Sequence, residues 1–334
     1  MQALAHYKGL GLALTTVAFW GTLPIALKQV TPNVDVFTIV WLRFTTIALW
    51  MWFYLPHKAE GRFFVPLMHR LGHHNEQISR LVASGPYNRK KTLLLILVAA
   101  LGLGGNFVLF NTSVLYLTAS ACQIVSQAGP MLLMLGSVLV LHEPMHRIQV
   151  LGIPVLLLGF LLFFNQNLGE LFSFEGGSGL GVLLGFSASL VWACFGVAQK
   201  VLLREMAPQR LLRVLYTFIA LGLLPLATPS YLLNLTGPFQ ALCLAYCCLN
   251  TMVAYGCFTR AMACWNTARV GAVLTLTPLA TLLFAFFLHL LAPQHFASEN
   301  LNFLGFVGAF VTVFGACLIA MGSQIFTLFQ HHKA

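Results

Sequence analysis

Acidic side chains are what this sequence most conspicuously lacks. Only eight Asp and Glu occur among 334 residues, and charged residues of both signs make up 8%, against about 25% in an ordinary soluble domain. The eight are Asp35, Glu60, Glu76, Glu143, Glu170, Glu175, Glu205 and Glu299, and each falls between apolar stretches or at the end of one. No carboxylate is left for the middle of an apolar segment. A cation bound there would lack a counter-charge, and a proton relay would have only His289 to titrate. The eight cysteines follow no disulfide framework or zinc spacing and read as small apolar packing residues. HExxH, GxSxG and Asp-rich motifs are absent, so the sequence offers no catalytic residue, no metal site and no cofactor. That weighs against the alternative of a membrane-embedded enzyme; a non-transporting scaffold would not need the repeat described below.

What is present is apolar length. Hydrophobic residues make up 59% of the chain, more than a soluble fold of this size can hide. A spanning helix needs about 20 mainly apolar residues to cross about 30 Å of hydrocarbon. Such segments tile the chain at 9–29, 35–55, 92–112, 117–140, 148–166, 179–201, 212–233, 240–258, 268–291 and 302–323, which predicts an all-α integral membrane protein of ten spans. The first span contains Trp20, Pro24 and Lys28 and no clean small-residue cleavage site, so it reads as a span and not as a cleaved signal.

The formal charge of +10 points to topology and not to nucleic acid. With a cytoplasmic N-terminus, every Lys and Arg except Lys28 and Arg43 falls on the inner side, while Asp35, Glu170, Glu175 and Glu299 fall outside. This positive-inside bias places both termini in the cytoplasm. The basic stretch 56–91 is expected on the inner membrane surface, partly as an interfacial helix around Phe63–Met68. His69, His73 and His74 share spacing that a metal could use, but a solvated basic loop accounts for them more simply.

The chain also repeats itself. Phe19-Trp20-Gly21 with Lys28 is matched by Val191-Trp192-Ala193 with Lys200. Phe110 through Thr118-Ala119-Ser120 to Pro130 is matched by Phe258 through Asn266-Thr267-Ala268 to Pro278, and Gly152 and Gly159 by Gly308 and Gly315. The halves are residues 1–166, carrying the basic loop, and 179–323, joined by an external linker 167–178 and followed by a tail 324–334. With five spans per half, the second must enter the membrane from the opposite side, so the repeats are inverted. Inverted repeats are a transporter plan in which the halves rock about a substrate at the midplane.

The order of Trp20-Gly21, Lys28, Arg43-Phe44, Asn111, Thr118 to Ala121, Pro130 and Glu143-Pro144 resembles the EamA-type ten-helix exporters of the drug/metabolite transporter superfamily. The second half departs from it: Leu291-Ala292 stand where Glu143-Pro144 would repeat, and no Arg matches Arg43. The resemblance implies a bacterial inner-membrane protein whose cavity is lined by the first, third, fourth, sixth, eighth and ninth helices. It also implies export or exchange of small metabolites such as amino acids.

Candidate cavity residues follow from polarity inside apolar spans. Ser120, Gln123 and Gln127 recur on one face of the fourth, Thr275 and Thr277 occupy the matching part of the ninth, and Asn106 and Asn250 add amides in the third and eighth. Trp20, Trp192 and Tyr255 would form apolar walls. Unpaired amides facing lipid are costly, so these groups face the interior, either packing helices or reading a substrate. Arg43, Lys28 and Glu143 are charged candidates for gating or structure; a mid-span Arg costs about 2.5 to 3.5 kcal/mol on insertion scales. Pro24, Pro130, Pro154, Pro225 and Pro278 interrupt spans, and Pro130 with Pro278 are candidate hinges. The expected partners are the lipid bilayer and a neutral, zwitterionic or anionic small molecule, moved by facilitated diffusion or exchange.

Overall fold

The computed structural model describes residues 2–54, 89–142, 145–166, 168–169, 177–203, 206, 208–235, 237–264 and 267–331. Its helices are α1 (Gln2–Val30), α2 (Val36–Tyr54), α3 (Arg89–Tyr116), α4 (Ala119–Ser126), α5 (Ala128–Leu141), α6 (Arg147–Phe163), α7 (Ser178–Leu202), α8 (Pro208–Leu223), α9 (Pro238–Cys264), α10 (Thr267–Leu274), α11 (Thr277–Leu291) and α12 (Phe303–His331), with a 3₁₀ turn at Pro229–Asn234. No strand occurs among the described residues. Large apolar side chains such as Phe53, Leu139, Leu291 and Phe303 stand exposed, the surface expected of a protein solvated by lipid.

Eight helical segments are long and apolar enough to cross a membrane: Gly9–Val30, Val36–Phe53, Lys90–Tyr116, Ala119–Leu141, Ser178–Leu202, Pro238–Phe258, Arg269–Leu291 and Phe303–Met321. Arg147–Phe163 is a shorter apolar helix. The seventh expected segment, 212–233, is only partly helical. Helix α8 ends at Leu223 and the chain turns at Leu224–Leu226. Pro225 therefore follows a helix end and does not kink a span, because a ring with no N–H suits a turn better than a helix interior. The expected interfacial helix and the histidines of the basic loop lie outside the described residues, as does Glu143; α3 already begins at Arg89.

Two segments are broken at matching places. Gln127 separates α4 from α5, and Thr275 with Leu276 separates α10 from α11. At each break one N–H reaches back three residues instead of four: Gln127 to the Ile124 carbonyl at 3.0 Å and Leu276 to that of Val273 at 3.1 Å. Pro130 and Pro278 follow the breaks by three and two residues.

Helices α6 and α12 pack tightly and antiparallel. A Cβ built on Gly159 would lie 2.4 Å from the Thr312 nitrogen, and one on Gly315 2.4 Å from that of Leu156. A Cβ on Gly152 would meet Ile319 at 2.7 Å, and one on Gly308 would meet Phe163 at 2.2 Å. Only glycine permits this backbone approach. Elsewhere α7 packs on α3 and α5, α1 on α9, α10 and α11, and α2 on α8 and α9.

Candidate functional site

The centre of the bundle is organised by Pro24, inside α1. Proline has no N–H to give the carbonyl four residues earlier and its ring pushes that carbonyl away, so the Trp20 carbonyl loses its helical donor. Gln123 of α4 supplies one, with its Nε2 donating to that oxygen at 2.8 Å. The neighbouring carbonyls are served likewise. Asn250 Nδ2 of α9 donates to Phe19, and Thr281 Oγ1 of α11 donates to Gly21 at 2.8 Å. Three successive carbonyls of α1 thus receive donors from three other helices. Tyr246 adds a 2.5 Å contact from its hydroxyl to Thr22 Oγ1.

The same logic operates at Pro278, which deprives the Leu274 carbonyl of its donor; the Thr277 hydroxyl donates to it at 2.6 Å. Thr275 donates within its own helix to Ala272 at 2.7 Å. Gln123, Thr275, Thr277 and Asn250, expected in the cavity, are buried with their donors engaged by backbone. Asn106 similarly donates to the Ala188 carbonyl at 3.0 Å, joining α3 to α7. Gln127 is buried at the α4–α5 break, its Oε1 without a hydrogen-bond partner. Trp192 is half-buried and covers Gly129, where a Cβ would stand 3.2 Å from its ring.

A second layer surrounds Arg43, which is 1% exposed. Its Nε donates to Thr251 Oγ1 at 2.8 Å, one terminal nitrogen lies 3.5 Å from Asn111 Oδ1, and the guanidinium stands 4.7 Å above the Phe107 ring. Among the described residues the ionisable groups that face it are Cys247, Cys248 and Tyr255, with no carboxylate among them. Aromatic rings close the layer. Tyr255 meets Trp20 at 5.5 Å, Phe107 at 6.0 Å and Tyr216 at 6.4 Å, while Phe44 meets Phe107 at 4.6 Å. Asn111 Nδ2 and the Tyr216 hydroxyl are buried without hydrogen-bond partners. Trp20 and Tyr255 therefore form one wall, continuous with Arg43. Helix α2 contributes to this centre although the second helix was absent from the expected lining.

At one end of the bundle Ser120 meets a carboxylate that sequence reasoning left in a connection, close enough to Lys28 to feel its charge. Glu299, between α11 and α12, accepts from the Ser120 N–H at 2.9 Å. Burial raises its carboxyl above the ordinary range, while Ser120, Lys28 and Thr118 oppose the shift. His289 is not at mid-span; it lies in the last turn of α11, its Nδ1 2.7 Å from the Phe296 carbonyl. Thr281, Thr251, Asn111, Tyr216 and Glu299 were not read as site residues. A signal existed for the first layer only, because each intramembrane proline implies a carbonyl that needs a donor.

A helical bundle with eight segments long and apolar enough to cross a membrane, broken segments and a polar centre has the architecture of a multi-span membrane protein. The EamA-like transporter family matches residues 7–165 and again residues 179–321, and the chain belongs to that family. It is 40% identical over 324 residues to the uncharacterized inner membrane transporter YhbE of Escherichia coli (strain K12), covering 97% of this chain and 94% of that one. An uncharacterized transporter of Haemophilus influenzae (strain ATCC 51907 / DSM 11121 / KW20 / Rd) is 34% identical over 322 residues, covering 95% and 96%. A solved structure described only as a crystal structure of a protein aligns at TM-score 0.56 and 16% identity, over 96% of this chain and 99% of that chain, and supports the fold alone.

Proposed function

We propose that the chain is an inner-membrane exporter or exchanger of small neutral, zwitterionic or anionic metabolites such as amino acids, working by alternating access between two inverted five-span halves. The observation that carries this reading is the α6–α12 contact. Gly152 against Ile319 and Gly308 against Phe163 are the same pair after an offset of 156, and so are Gly159 against Thr312 and Gly315 against Leu156. A contact that maps onto itself in this way is what a two-fold axis produces. Because the two helices run antiparallel, the axis lies across them, in the plane of the membrane, which is the geometry of inverted repeats. Residues 1–166 and 179–323 are the halves, 167–178 the external linker and 324–334 a cytoplasmic tail. Helices α6 and α8 complete the ten spans, the basic residues hold both termini in the cytoplasm, and Pro130 and Pro278 are the hinges.

Substrate charge follows from Arg43. A buried cation faced by no carboxylate among the described residues favours a carboxylate or other anionic group brought by a ligand, and Asn111 Nδ2 has a hydrogen bond to spare beside it. Trp20, Tyr255 and Trp192 would wall the apolar part. Gln127, at a hinge with an unpaired oxygen, suits an ammonium or amide donor.

The test is flux of labelled amino acids in proteoliposomes holding the purified full chain. Neutral or acidic amino acids are expected to exchange, and Arg43→Met is expected to abolish their movement while the protein still purifies folded. Concentrative movement of a polyamine, or unaltered flux in R43M, would overturn the reading. Reporter fusions at residue 334 and within 167–178 check the orientation.

A further inference from the structure

Helices α11 and α12 follow one another in the chain, yet they pack on different partners: α11 lies against α1 and α4, and α12 against α6. Between them runs a groove of 310 Å³, at the small end of ligand-sized cavities. Its walls are Leu279, Leu283 and Phe286 of α11 with Phe306 and Phe310 of α12, and the last four of these stand exposed. From Leu279 to His289 the groove follows α11 for about 15 Å, at about 1.5 Å per residue. That is half of the roughly 30 Å of hydrocarbon in a bilayer. An apolar slot one leaflet long, open on its lipid side, fits an acyl chain.

The polar groups of the groove are His289, Ser298 and Glu299, in the last turn of α11 and the connection that follows it. His289 Nδ1 lies 2.7 Å from the Phe296 carbonyl. A carbonyl only accepts, so Nδ1 carries the proton and the neutral ring offers Nε2 as an acceptor. Ser298 Oγ donates to Asn300 Oδ1 at 3.4 Å, which leaves its own oxygen free to accept. Glu299 supplies negative charge. Its Oε1 accepts from the Ser120 N–H at 2.9 Å, its Oε2 is covered without a partner, and Ser120, Thr118 and the charge of Lys28 favour its ionised form.

We propose that this groove is a specific site for a bilayer phospholipid with a primary ammonium headgroup, one acyl chain lying along α11 and the ammonium at His289, Ser298 and Glu299. A primary ammonium brings three N–H donors and a positive charge, the complement of an end that offers acceptors and a carboxylate. A quaternary ammonium has the charge without the donors. A glycerol headgroup has hydroxyl donors, but its phosphodiester has no cation beside it and is repelled by Glu299. A lipid held in the groove bridges α11 to α12, and so ties the helices around the α1 kink to the α6–α12 seam.

The site does not depend on what the protein transports, and its test needs no substrate. The full chain is placed at neutral pH in phosphatidylcholine nanodiscs doped with phosphatidylethanolamine, phosphatidylcholine or phosphatidylglycerol, each carrying the same photoreactive acyl chain, and labelled peptides are mapped by mass spectrometry. Within residues 279–310 the ethanolamine lipid is expected to label about 3- to 10-fold more than the choline lipid, between the effect of an exposed ion pair and that of a hydrogen bond to a charged group. The glycerol lipid is expected to label this segment least. The exposed face of α3 at Leu93, Leu94 and Leu101 should take all three alike and serves as the internal reference. Glu299→Gln should bring the ethanolamine-to-choline ratio in the groove close to one. Leu283→Trp, which fills the slot from an exposed position, should lower labelling by all three lipids there and leave α3 unchanged. If either variant fails to fold, the wild-type ratio decides by itself. Equal labelling of the groove by the ethanolamine and choline lipids overturns the proposal, as does a preference for the glycerol lipid or a preference that E299Q leaves intact.

Discussion

The α6–α12 seam and the ring of contacts around α1 hold the same bundle together by opposite means. At the seam, glycines let two backbones touch and close packing supplies most of the contact, with polar bonds only at its ends, where Gln149 Nε2 donates to the Ile319 carbonyl at 3.1 Å and the Asn165 and Asn302 amides pair. Around α1, Gln123, Asn250 and Thr281 reach carbonyls displaced by a proline kink. Each of these bonds involves a side chain that can rotate and a carbonyl that can take another donor. On the proposed rocking mechanism, the seam would serve as the fixed axis and the kink as the set of exchangeable contacts.

The largest effect is expected where the seam is forced apart. Gly159→Leu places a side chain where even a Cβ would stand 2.4 Å from backbone, so it should destabilise the fold by about 3 kcal/mol, the upper end of overpacking. Unfolding in mixed micelles measures it. A G159L protein as stable as wild type would show that α6 and α12 are not held as described.

A smaller loss is expected at the kink. Gln123→Leu leaves the part-buried Trp20 carbonyl without this donor, at a cost of about 1 kcal/mol, the lower end for an unsatisfied group. The change keeps bulk and apolar contact, so the result reads the hydrogen bond. If Q123L matched the wild type in the same unfolding assay, the amide would be idle in this state and available to a substrate.

How far the sequence carried this picture depends on which kind of contact is considered. The glycines of the seam were visible as a spaced pair in each half, because a backbone approach demands one residue type and admits no substitute. Broken segments before Pro130 and Pro278 were visible for the same reason. The donors around α1 were recognised as polar residues facing inward, yet their partner is a main-chain oxygen, which leaves no trace in composition beyond the proline four residues later. Glu299 was least legible. Its position in a connection implies solvent, and only the path of the chain back over α4 half-buries it and covers its Oε2.

The smallest effect tests the difference between the two regions most directly. If Gln123 matters because Pro24 withholds an N–H from the Trp20 carbonyl, restoring that N–H should make Gln123 dispensable. Pro24→Ala allows residue 24 to donate to Trp20 in the ordinary helical way, so the penalty for Q123L should shrink in the P24A background. The expected coupling is about 1 kcal/mol, well above the roughly 0.3 to 0.5 kcal/mol within which independent sites add. Four proteins unfolded under one condition supply the cycle: wild type, P24A, Q123L and the double variant. The same pair introduced against Gly152→Ala should show no coupling, because Gly152 meets Ile319 and the Gly315 carbonyl of α12 and shares no contact with the α1 kink. Additive penalties for P24A and Q123L would mean that the Trp20 carbonyl is satisfied by other means, and that the kink and the amide became neighbours for separate reasons.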